Sequence, residues 1–272
     1  MYKAVSAQEA VKLIKSNDRV YLKAACAAPN VLMKAMTERH EELRNVEVCH
    51  LHVEGEAPYA DPKYKDSFHV NSFFIGKNVR HTLAAGNGSY TPVFLSELPI
   101  LFKRNFIDIN VAMIHVSVPD KHGYCSLGTT ICAVLAAIDN ADTVIAQVNP
   151  NMPRTHGDGI IHVTEIDYFV DCDEPLPELF SREATEVEDQ IGTYIANLIE
   201  DRSTLQMGIG MIPNAVLSKL VNHKYLGLNT EMFSDGVIDI ILNIVITGNY
   251  KGISRGRALA TFLMGKKRLY DY

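Results

Sequence analysis

An α/β fold with largely parallel sheets is the class that this sequence predicts, and two observations lead to it. First, short apolar segments typical of strands alternate along the chain with amphipathic segments typical of helices, and turn residues separate them. Second, this alternation breaks at an acidic, proline-containing stretch over residues 171–190 and begins again at Thr204. We therefore predict two α/β domains, one over residues 1–180 and one over residues 181–272.

The elements of the first domain follow from local signals. Ser6 and Glu9 stand three residues apart ahead of an apolar rhythm, which is the capping-box signature of a helix start. Pro92 closes a glycine-bearing loop over residues 83–92 and is well placed to begin a helix, because proline at the first helical position costs no hydrogen bond. The other predicted segments are strands over 19–22, 46–53, 107–118 and 143–148, and helices over 30–43 and 130–138.

The second domain begins with a helix and continues as a βαβ pattern. One apolar helix face is predicted from residues at helical spacing, namely Val187, Ile191, Ile195 and Leu198. This helix is followed, in order, by a strand, a glycine turn, a helix started by Pro213 and a second short strand. The run over residues 237–246 is strongly apolar, and we expect it to leave apolar surface exposed.

Composition and charge exclude several function classes. The 272 residues are 47% hydrophobic and 21% charged, which is ordinary for a globular protein. A net charge of −6, with basic residues clustered only at 266–268, argues against binding to nucleic acid or to an acidic membrane surface. Five cysteines without CxxC spacing indicate reduced thiols, and the chain start shows no signal-peptide pattern. We expect a soluble, cytoplasmic protein.

The glycine turn Gly-Ile-Gly-Met-Ile-Pro, over residues 208–213, is the first candidate for a binding site. It lacks the third glycine of a dinucleotide-binding fingerprint and the Gly-Lys-Ser/Thr of a P-loop. Glycine between a strand and a helix lets a ligand approach the backbone, and the free N–H groups of the helix start favour anions. A tight turn with no ligand is the alternative, and glycine spacing without further support favours it.

Glu231 is the second candidate. Strand alternation in Leu-Asn-Thr-Glu-Met-Phe, over residues 228–233, places it on one face with Asn229 and Phe233. A carboxylate among apolar neighbours at a strand end is partly desolvated and therefore more nucleophilic than a solvated one. The alternative is a surface acid at a strand edge, which is the usual place for a glutamate. Ser234 and Asp235 are predicted to cap the helix that follows.

Several histidines and cysteines are weaker candidates. His50 and His52 lie on one face of a predicted strand, but no partner stands at a recognised metal-ligand spacing, so we predict no metal site. Cys125 follows Gly-Tyr in a predicted loop, and we assign it a structural role. Weak candidates for contacts with a substrate are His115, His122, His156, residues 87–89 and residues 152–154.

Six segments resemble the acetyl-CoA hydrolase / 4-hydroxybutyrate CoA-transferase family. They are SAQEAVKLIKSNDRV (6–20), VSVPDKHGYCSLGTT (116–130), NPNMPRTHGD (149–158), LQMGIGMIPNAV (205–216), NTEMFSDG (229–236) and ATFLMGKKRLYDY (260–272). Because they fall in family order and cover essentially the whole chain, chance is a poor explanation. The resemblance implies two CoA-transferase domains, the second one incomplete, since family members continue beyond the position of Tyr272 with a loop that contacts CoA.

The resemblance also implies roles for both candidates. In the family, the glutamate at the position of Glu231 attacks an acyl-CoA, forms an acyl-glutamyl anhydride and then a glutamyl-CoA thioester, and passes CoA to a carboxylic acid. The residues implied to lie against CoA are Gly208, Ile209, Gly210, Met211 and Ile212. CoA is a substrate in this chemistry, and we expect no tightly bound cofactor and no metal.

We therefore predict a CoA-transferase that moves CoA from an acyl-CoA to a short-chain carboxylate such as acetate, butyrate or 4-hydroxybutyrate. Two alternatives stay open: acyl-CoA hydrolysis, in which water intercepts the Glu231 intermediate, and a truncated, non-catalytic CoA-binding subunit. The expected partners are acyl-CoA, a short-chain carboxylic acid, and either further copies of the chain or a partner that supplies the rest of the second domain. Without that portion we expect the 272-residue chain to be catalytically impaired.

Overall fold

A computed structural model describes residues 2–180 and 182–272 of the chain. The chain divides into two compact units, Met1–Pro177 and Glu178–Tyr272, which we call the first unit and the second unit. The predicted domain boundary between residues 180 and 181 adjoins Ser181, which lies outside the described residues. The two predicted domains, with their boundaries, stay a prediction.

The first unit alternates strands with helices. Its strands are β1 (Arg19–Leu22), β2 (Val46–His50), β3 (Phe68–Ser72), β4 (Gly88–Tyr90), β5 (Ile109–Val116), β6 (Tyr124–Ser126), β7 (Ala141–Val148), β8 (Ile160–His162) and β9 (Tyr168–Asp171). Its helices are α1 (Ala7–Ala10), α2 (Asn30–Glu38), α3 (His81–Ala85), α4 (Leu98–Lys103) and α5 (Val134–Asn140).

Seven strands of the first unit form one sheet in the order β4-β3-β2-β1-β5-β7-β9, and every neighbouring pair in it is parallel. Parallel neighbours need crossover connections, which agrees with the helical segments between the strands. In the two longest strands, seven of the eight residues of β5 and the last five residues of β7 are buried, as in strands covered on both faces. The predicted α/β class with a largely parallel sheet is confirmed.

The second unit is smaller and also parallel. Its strands are β10 (Thr204–Leu205), β11 (Gly227–Leu228), β12 (Met232–Phe233) and β13 (Phe262–Leu263), and its helices are α6 (Glu186–Ala196), α7 (Met211–Lys219), α8 (Gly236–Leu242) and α9 (Lys267–Asp271). β10 pairs with β11 and β12 pairs with β13, both in parallel. A core of its own holds this unit together, built on residues such as Leu217, Leu228 and Ile240.

Two predicted helix boundaries in the first unit are wrong. The helix after the glycine-bearing loop is α4, which carries Pro99 in its first turn, so Pro92 does not begin it. The helix predicted over 30–43 ends at Glu38. The predicted start of the first helix is right, because Ser6 is the N-cap of α1 and its side chain accepts a hydrogen bond from the Glu9 amide. The Glu9 carboxylate pairs with Lys12 and does not complete the capping box. A local signal located each region correctly, and tertiary contacts set its ends.

The apolar face predicted for the first helix of the second unit is also wrong. Val187 and Leu198 are 65% and 82% exposed, whereas the buried positions of α6 are Gly192 and Ala196. Gly192 lies against Ala215 of α7, where an added Cβ would be 2.8 Å from the Ala215 Cβ. Small residues therefore bring the two helices into close contact, a packing that hydrophobic periodicity does not signal.

The run over residues 237–246 does not form the exposed apolar flank that we expected. Val237, Ile240 and Val245 are buried in the core of the second unit, and only Leu242 and Ile244 are markedly exposed. In the described ranges 2–180 and 182–272, no helix is both long enough and apolar enough to cross a bilayer.

Candidate functional site

The glycine turn connects the end of β10 at Leu205 to the start of α7 at Met211. The helix begins at Met211 rather than at Pro213, so Pro213 belongs to its first turn. Gly210 has φ +119° and ψ −173°, a backbone conformation that side-chain-bearing residues rarely adopt. The geometry of the chain itself therefore requires glycine at 210.

Gly208 is different, because nothing in the chain requires glycine there. Its φ lies outside the left-handed range, and an added Cβ would meet no atom within 4 Å. The residue is exposed, and the space beside it is open. Among the described residues no side chain caps α7, so the Met211 and Ile212 N–H groups have neither a side-chain nor an intrahelical acceptor. Pro213 has no N–H, and the Asn214 N–H donates to the Gly210 carbonyl. Together these features form a ready site for an anionic group beside an accessible backbone.

Glu231 lies between β11 and β12 and is exposed. Its neighbours therefore do not desolvate it as we predicted, because the residue is exposed. Within residues 2–180 and 182–272 its carboxylate has no hydrogen bond and no ion pair. Its main chain, by contrast, is held firmly: the Glu231 carbonyl accepts from the Thr261 amide at 3.0 Å, the Phe262 amide at 3.0 Å and the Thr261 hydroxyl at 2.8 Å. The Glu231 backbone is therefore held by hydrogen bonds, whereas its carboxylate makes none in the described ranges.

The structure brings the glycine turn and Glu231 to the same edge of the two-stranded sheet formed by β10 and β11. β10 leads into the turn and β11 leads toward Glu231, and these two strands are parallel neighbours with Leu205 opposite Leu228. The carboxyl ends of parallel neighbours meet at one sheet edge. The two sequence candidates therefore belong to one candidate site within the second unit.

Thr230 links the two candidates directly. Its side chain is buried, with the residue 8% exposed, and its hydroxyl accepts from the Met207 amide at 3.0 Å and donates to the Met207 carbonyl at 2.6 Å. Met207 immediately precedes the turn, and Thr230 immediately precedes Glu231. Sequence reasoning missed this residue, although the alternation that points Glu231 outward also points Thr230 inward.

A second link lies on the other side of Glu231. The Ser234 hydroxyl donates to Oδ1 of Asn214 on α7 at 3.0 Å, and the Asp235 carboxylate accepts from the Lys266 amide at 3.0 and 3.1 Å. Asp235 is the N-cap residue of α8, as predicted, but its side chain makes no capping hydrogen bond, and Ser234 lies one residue before the cap. Both side chains instead tie the segment after Glu231 to neighbouring elements.

His50 ends β2, and His52 follows two residues later, outside the strand. Both ring nitrogens of His50 are buried without a hydrogen-bond partner, and burial lowers its pKa to about 3. His52 Nε2 lies 4.0 Å from a Glu54 carboxylate oxygen, yet burial lowers the pKa of His52 and raises that of Glu54, so desolvation outweighs the attraction of the pair. Across the described part of the chain, no group of three or more His, Cys, Asp and Glu residues is arranged to hold a metal ion.

Most of the remaining candidates of the first unit are buried or are bonded to other protein groups. His115 is buried, with Nδ1 3.2 Å from the Ala28 carbonyl oxygen, and burial lowers its pKa to about 3. Cys125 lies in β6 rather than in a loop, and burial raises the pKa of its thiol to about 11. Arg154 pairs with Asp120 at 2.8 Å, and Asn87 is buried. His122 and His156 are exposed, and their contact with a substrate stays a prediction.

Comparison with known proteins identifies the family. The profile of the acetyl-CoA hydrolase/transferase N-terminal domain matches residues 1–178. The chain belongs to the acetyl-CoA hydrolase/transferase family. The resemblance drawn from the six sequence segments is thereby confirmed.

Individual relatives agree with this assignment. The chain is 41% identical to a succinyl-CoA:acetate/propanoyl-CoA:succinate CoA transferase of Fasciola hepatica, in a match that covers 99% of this chain and 56% of that protein. It is 42% identical to a 4-hydroxybutyrate coenzyme A transferase of Clostridium kluyveri, over 99% of this chain and 63% of that protein. The crystal structure of 4-hydroxybutyrate CoA-transferase from Porphyromonas gingivalis matches with a TM-score of 0.87 and 34% identity, over 99% of this chain and 64% of that one. The chain thus spans less than two thirds of the length of each.

Proposed function

We propose that the protein transfers CoA from an acyl-CoA to a short-chain carboxylate, with Glu231 as the covalent nucleophile. The observation that carries this proposal is the state of Glu231: a carboxylate without a hydrogen bond or ion pair in the described ranges, on a backbone fixed by Thr261 and Phe262. A nucleophile needs free lone pairs and a fixed position.

The family chemistry balances at this residue. A Glu231 oxygen attacks the thioester carbonyl carbon and expels CoA thiolate, which leaves an acyl-glutamyl anhydride. The thiolate attacks the glutamyl carbonyl carbon, releases the acyl group as its carboxylate and forms a glutamyl-CoA thioester. The acceptor carboxylate repeats these two steps in the reverse order, which yields the new acyl-CoA and restores Glu231. No oxidant and no metal takes part in any step.

The glycine turn supplies the binding side of the proposal. We place CoA along Gly208, Ile209, Gly210, Met211 and Ile212, because Gly208 leaves open space beside the backbone and the start of α7 is uncapped. An anionic phosphate of CoA is favoured at such a helix start. Binding energy from the nucleotide end of CoA contributes to the reaction at Glu231 only if the glycine turn and the segment that carries Glu231 are held in a fixed relative position.

The test is mass spectrometry of the protein, in the form that its source organism makes, after incubation with acetyl-CoA. We expect the peptide that contains Glu231 to gain one CoA less one water, and borohydride to remove this label by reduction. Glu231→Gln should abolish both the label and transfer to butyrate while the fold is kept. Glu200→Gln, an exposed acid of the second unit, is the matched control and should behave as the wild type. A label on Cys125, or full transfer by Glu231→Gln, would refute the proposal.

Acyl-CoA hydrolysis is the second candidate, and the exposure of Glu231 favours it. Water can reach an exposed anhydride or thioester and compete with an acceptor acid. An assay of CoA release with and without butyrate separates the two reactions. A transferase requires the acceptor, whereas a hydrolase releases CoA at the same rate without it. CoA binding with no label on Glu231 would instead indicate a non-catalytic CoA-binding subunit.

A further inference from the structure

The hydroxyl of Thr230 occupies a position that main-chain atoms would fill in a regular sheet. In the ladder between β10 and β11, the Asn229 amide donates to the Leu205 carbonyl at 3.0 Å. The next bond of a parallel ladder would run from the Met207 amide to the Asn229 carbonyl. Instead, the Met207 amide donates to the Thr230 hydroxyl at 3.0 Å. The side chain therefore extends the ladder past the point where the two backbones separate.

From this arrangement we propose that Thr230 is a positioning residue that holds the CoA-binding turn and the Glu231 nucleophile in register. One hydroxyl satisfies both the amide and the carbonyl of Met207, the residue before Gly208. The same hydroxyl lies 3.1 Å from the Met232 carbonyl oxygen, on the far side of Glu231. The inference rests on the proposed function and adds a coupling between CoA binding and the covalent step.

The burial of Thr230 makes this contact costly to lose. The residue is 8% exposed, and it lies beside Leu228, which is fully buried. Removing the hydroxyl leaves the half-buried Met207 amide and carbonyl without this partner. The turn is then free to shift relative to Glu231, and small displacements of reacting groups lower rates strongly.

The experiment compares Thr230→Val, which replaces the hydroxyl by a methyl group of similar size, with Thr230→Ser, which keeps the hydroxyl. Two quantities are measured in the protein as its source makes it: the Kd for CoA by calorimetry and the single-turnover rate of thioester formation on Glu231. We expect Thr230→Val to weaken CoA binding and to slow thioester formation by about tenfold or more each. Thr230→Ser should stay within about threefold of the wild type in both quantities.

Thr37→Val is the matched control for the loss of a buried hydroxyl. Thr37 in the first unit is also buried, and its hydroxyl donates to the Met33 carbonyl at 2.8 Å. This variant should lose stability without a change in CoA affinity or in the rate of labelling. If Thr230→Val binds CoA and labels Glu231 like the wild type, Thr230 has no positioning role. If the wild type itself forms no thioester on Glu231, the proposed function fails instead, so the two failures are distinguishable.

Hydrogen exchange of the wild type keeps the proposal testable even if Thr230→Val does not fold. CoA should slow exchange in the peptide that contains Met207 and in the peptide that covers residues 230–232 together, because one hydroxyl ties them. Protection limited to residues 208–212, with none at 230–232, would overturn the coupling.

Discussion

At the scale of single residues, the two glycines of the turn serve different needs. Gly210 is required by its own backbone, since φ +119° is strained for any residue with a Cβ. The backbone does not require glycine at 208, because its φ lies outside the left-handed range and an added Cβ would meet no atom within 4 Å. A substitution at Gly210 therefore mixes strain with any effect on a ligand, whereas a substitution at Gly208 reports on the ligand.

Gly208→Ala is expected to weaken CoA binding by about tenfold while leaving stability within about 0.5 kcal/mol of the wild type, because the new methyl group enters only the space where CoA would lie. Calorimetry with CoA and urea unfolding measure the two quantities. Gly252→Ala is the matched control, since Gly252 is also exposed, has an ordinary φ and would place its Cβ in open space. Equal loss of affinity in both variants, or unchanged affinity in Gly208→Ala, would remove the turn from the site.

The sequence identified the acid of the candidate site but not the residues that hold it. Alternation placed Glu231 on one face with Asn229 and Phe233, and in the structure Asn229 and Glu231 are exposed while Phe233 is half-buried. The sequence could not show that Thr261 and Thr230 anchor this segment, because those contacts join residues far apart in the chain. The prediction that Glu231 is desolvated was wrong for the same reason. Burial depends on the elements that pack around a segment and not only on the residues of that segment.

At the scale of elements, the contact between α6 and α7 positions the helix that begins at the glycine turn. Gly192 faces the Ala215 backbone so closely that an added Cβ would lie 2.8 Å from the Ala215 carbonyl carbon. The Lys219 ammonium on α7 pairs with the Asp189 carboxylate on α6 at 2.7 Å. Close packing rather than this exposed ion pair sets the distance between the helices, because exposed pairs contribute little.

Gly192→Ala is expected to lower the free energy of unfolding by about 1–3 kcal/mol, even though alanine favours a helix over glycine by about 1 kcal/mol. The reason is the clash with Ala215, which lies on a helix backbone that cannot give way locally. Urea unfolding monitored by circular dichroism measures the change. Gln190→Ala, at an exposed position of the same helix, should be neutral or slightly stabilising. A stabilised Gly192→Ala protein would show that the two helices are not in close contact.

The elements that the sequence predicted well are those fixed by local pattern. The strand predicted over 19–22 coincides with β1, and the strand predicted over 143–148 lies within β7. β3 was missed although Phe68, His69, Val70 and Asn71 alternate between apolar and polar, and their burial alternates with them. β4 has only three residues, Gly88–Tyr90, too few to show a period. Neighbouring strands supply the hydrogen bonds that make these segments extended, and a single sequence does not display its neighbours.

At the scale of the whole molecule, buried histidines connect the fold of the first unit to pH. His50 and His115 lie at the ends of β2 and β5, and burial lowers the pKa of each to about 3. Both are neutral in the folded chain at every pH above that value, while in the unfolded chain they take up protons below about 6.5. The stability that they contribute is therefore fully present above pH 6.5 and is lost as the pH falls toward 3.

Replacing His50 by leucine should make the protein less sensitive to acid. Between pH 6.5 and 4, each such histidine lowers the free energy of unfolding by up to about 1.4 kcal/mol per pH unit, because only the unfolded chain binds the proton. His50→Leu removes one proton-binding group and also two buried nitrogens that have no hydrogen-bond partner. Urea unfolding at pH 7, 6 and 5 should show a flatter pH dependence than in the wild type. An unchanged slope in His50→Leu would mean that His50 is protonated in the folded chain and that its burial does not exclude the charge.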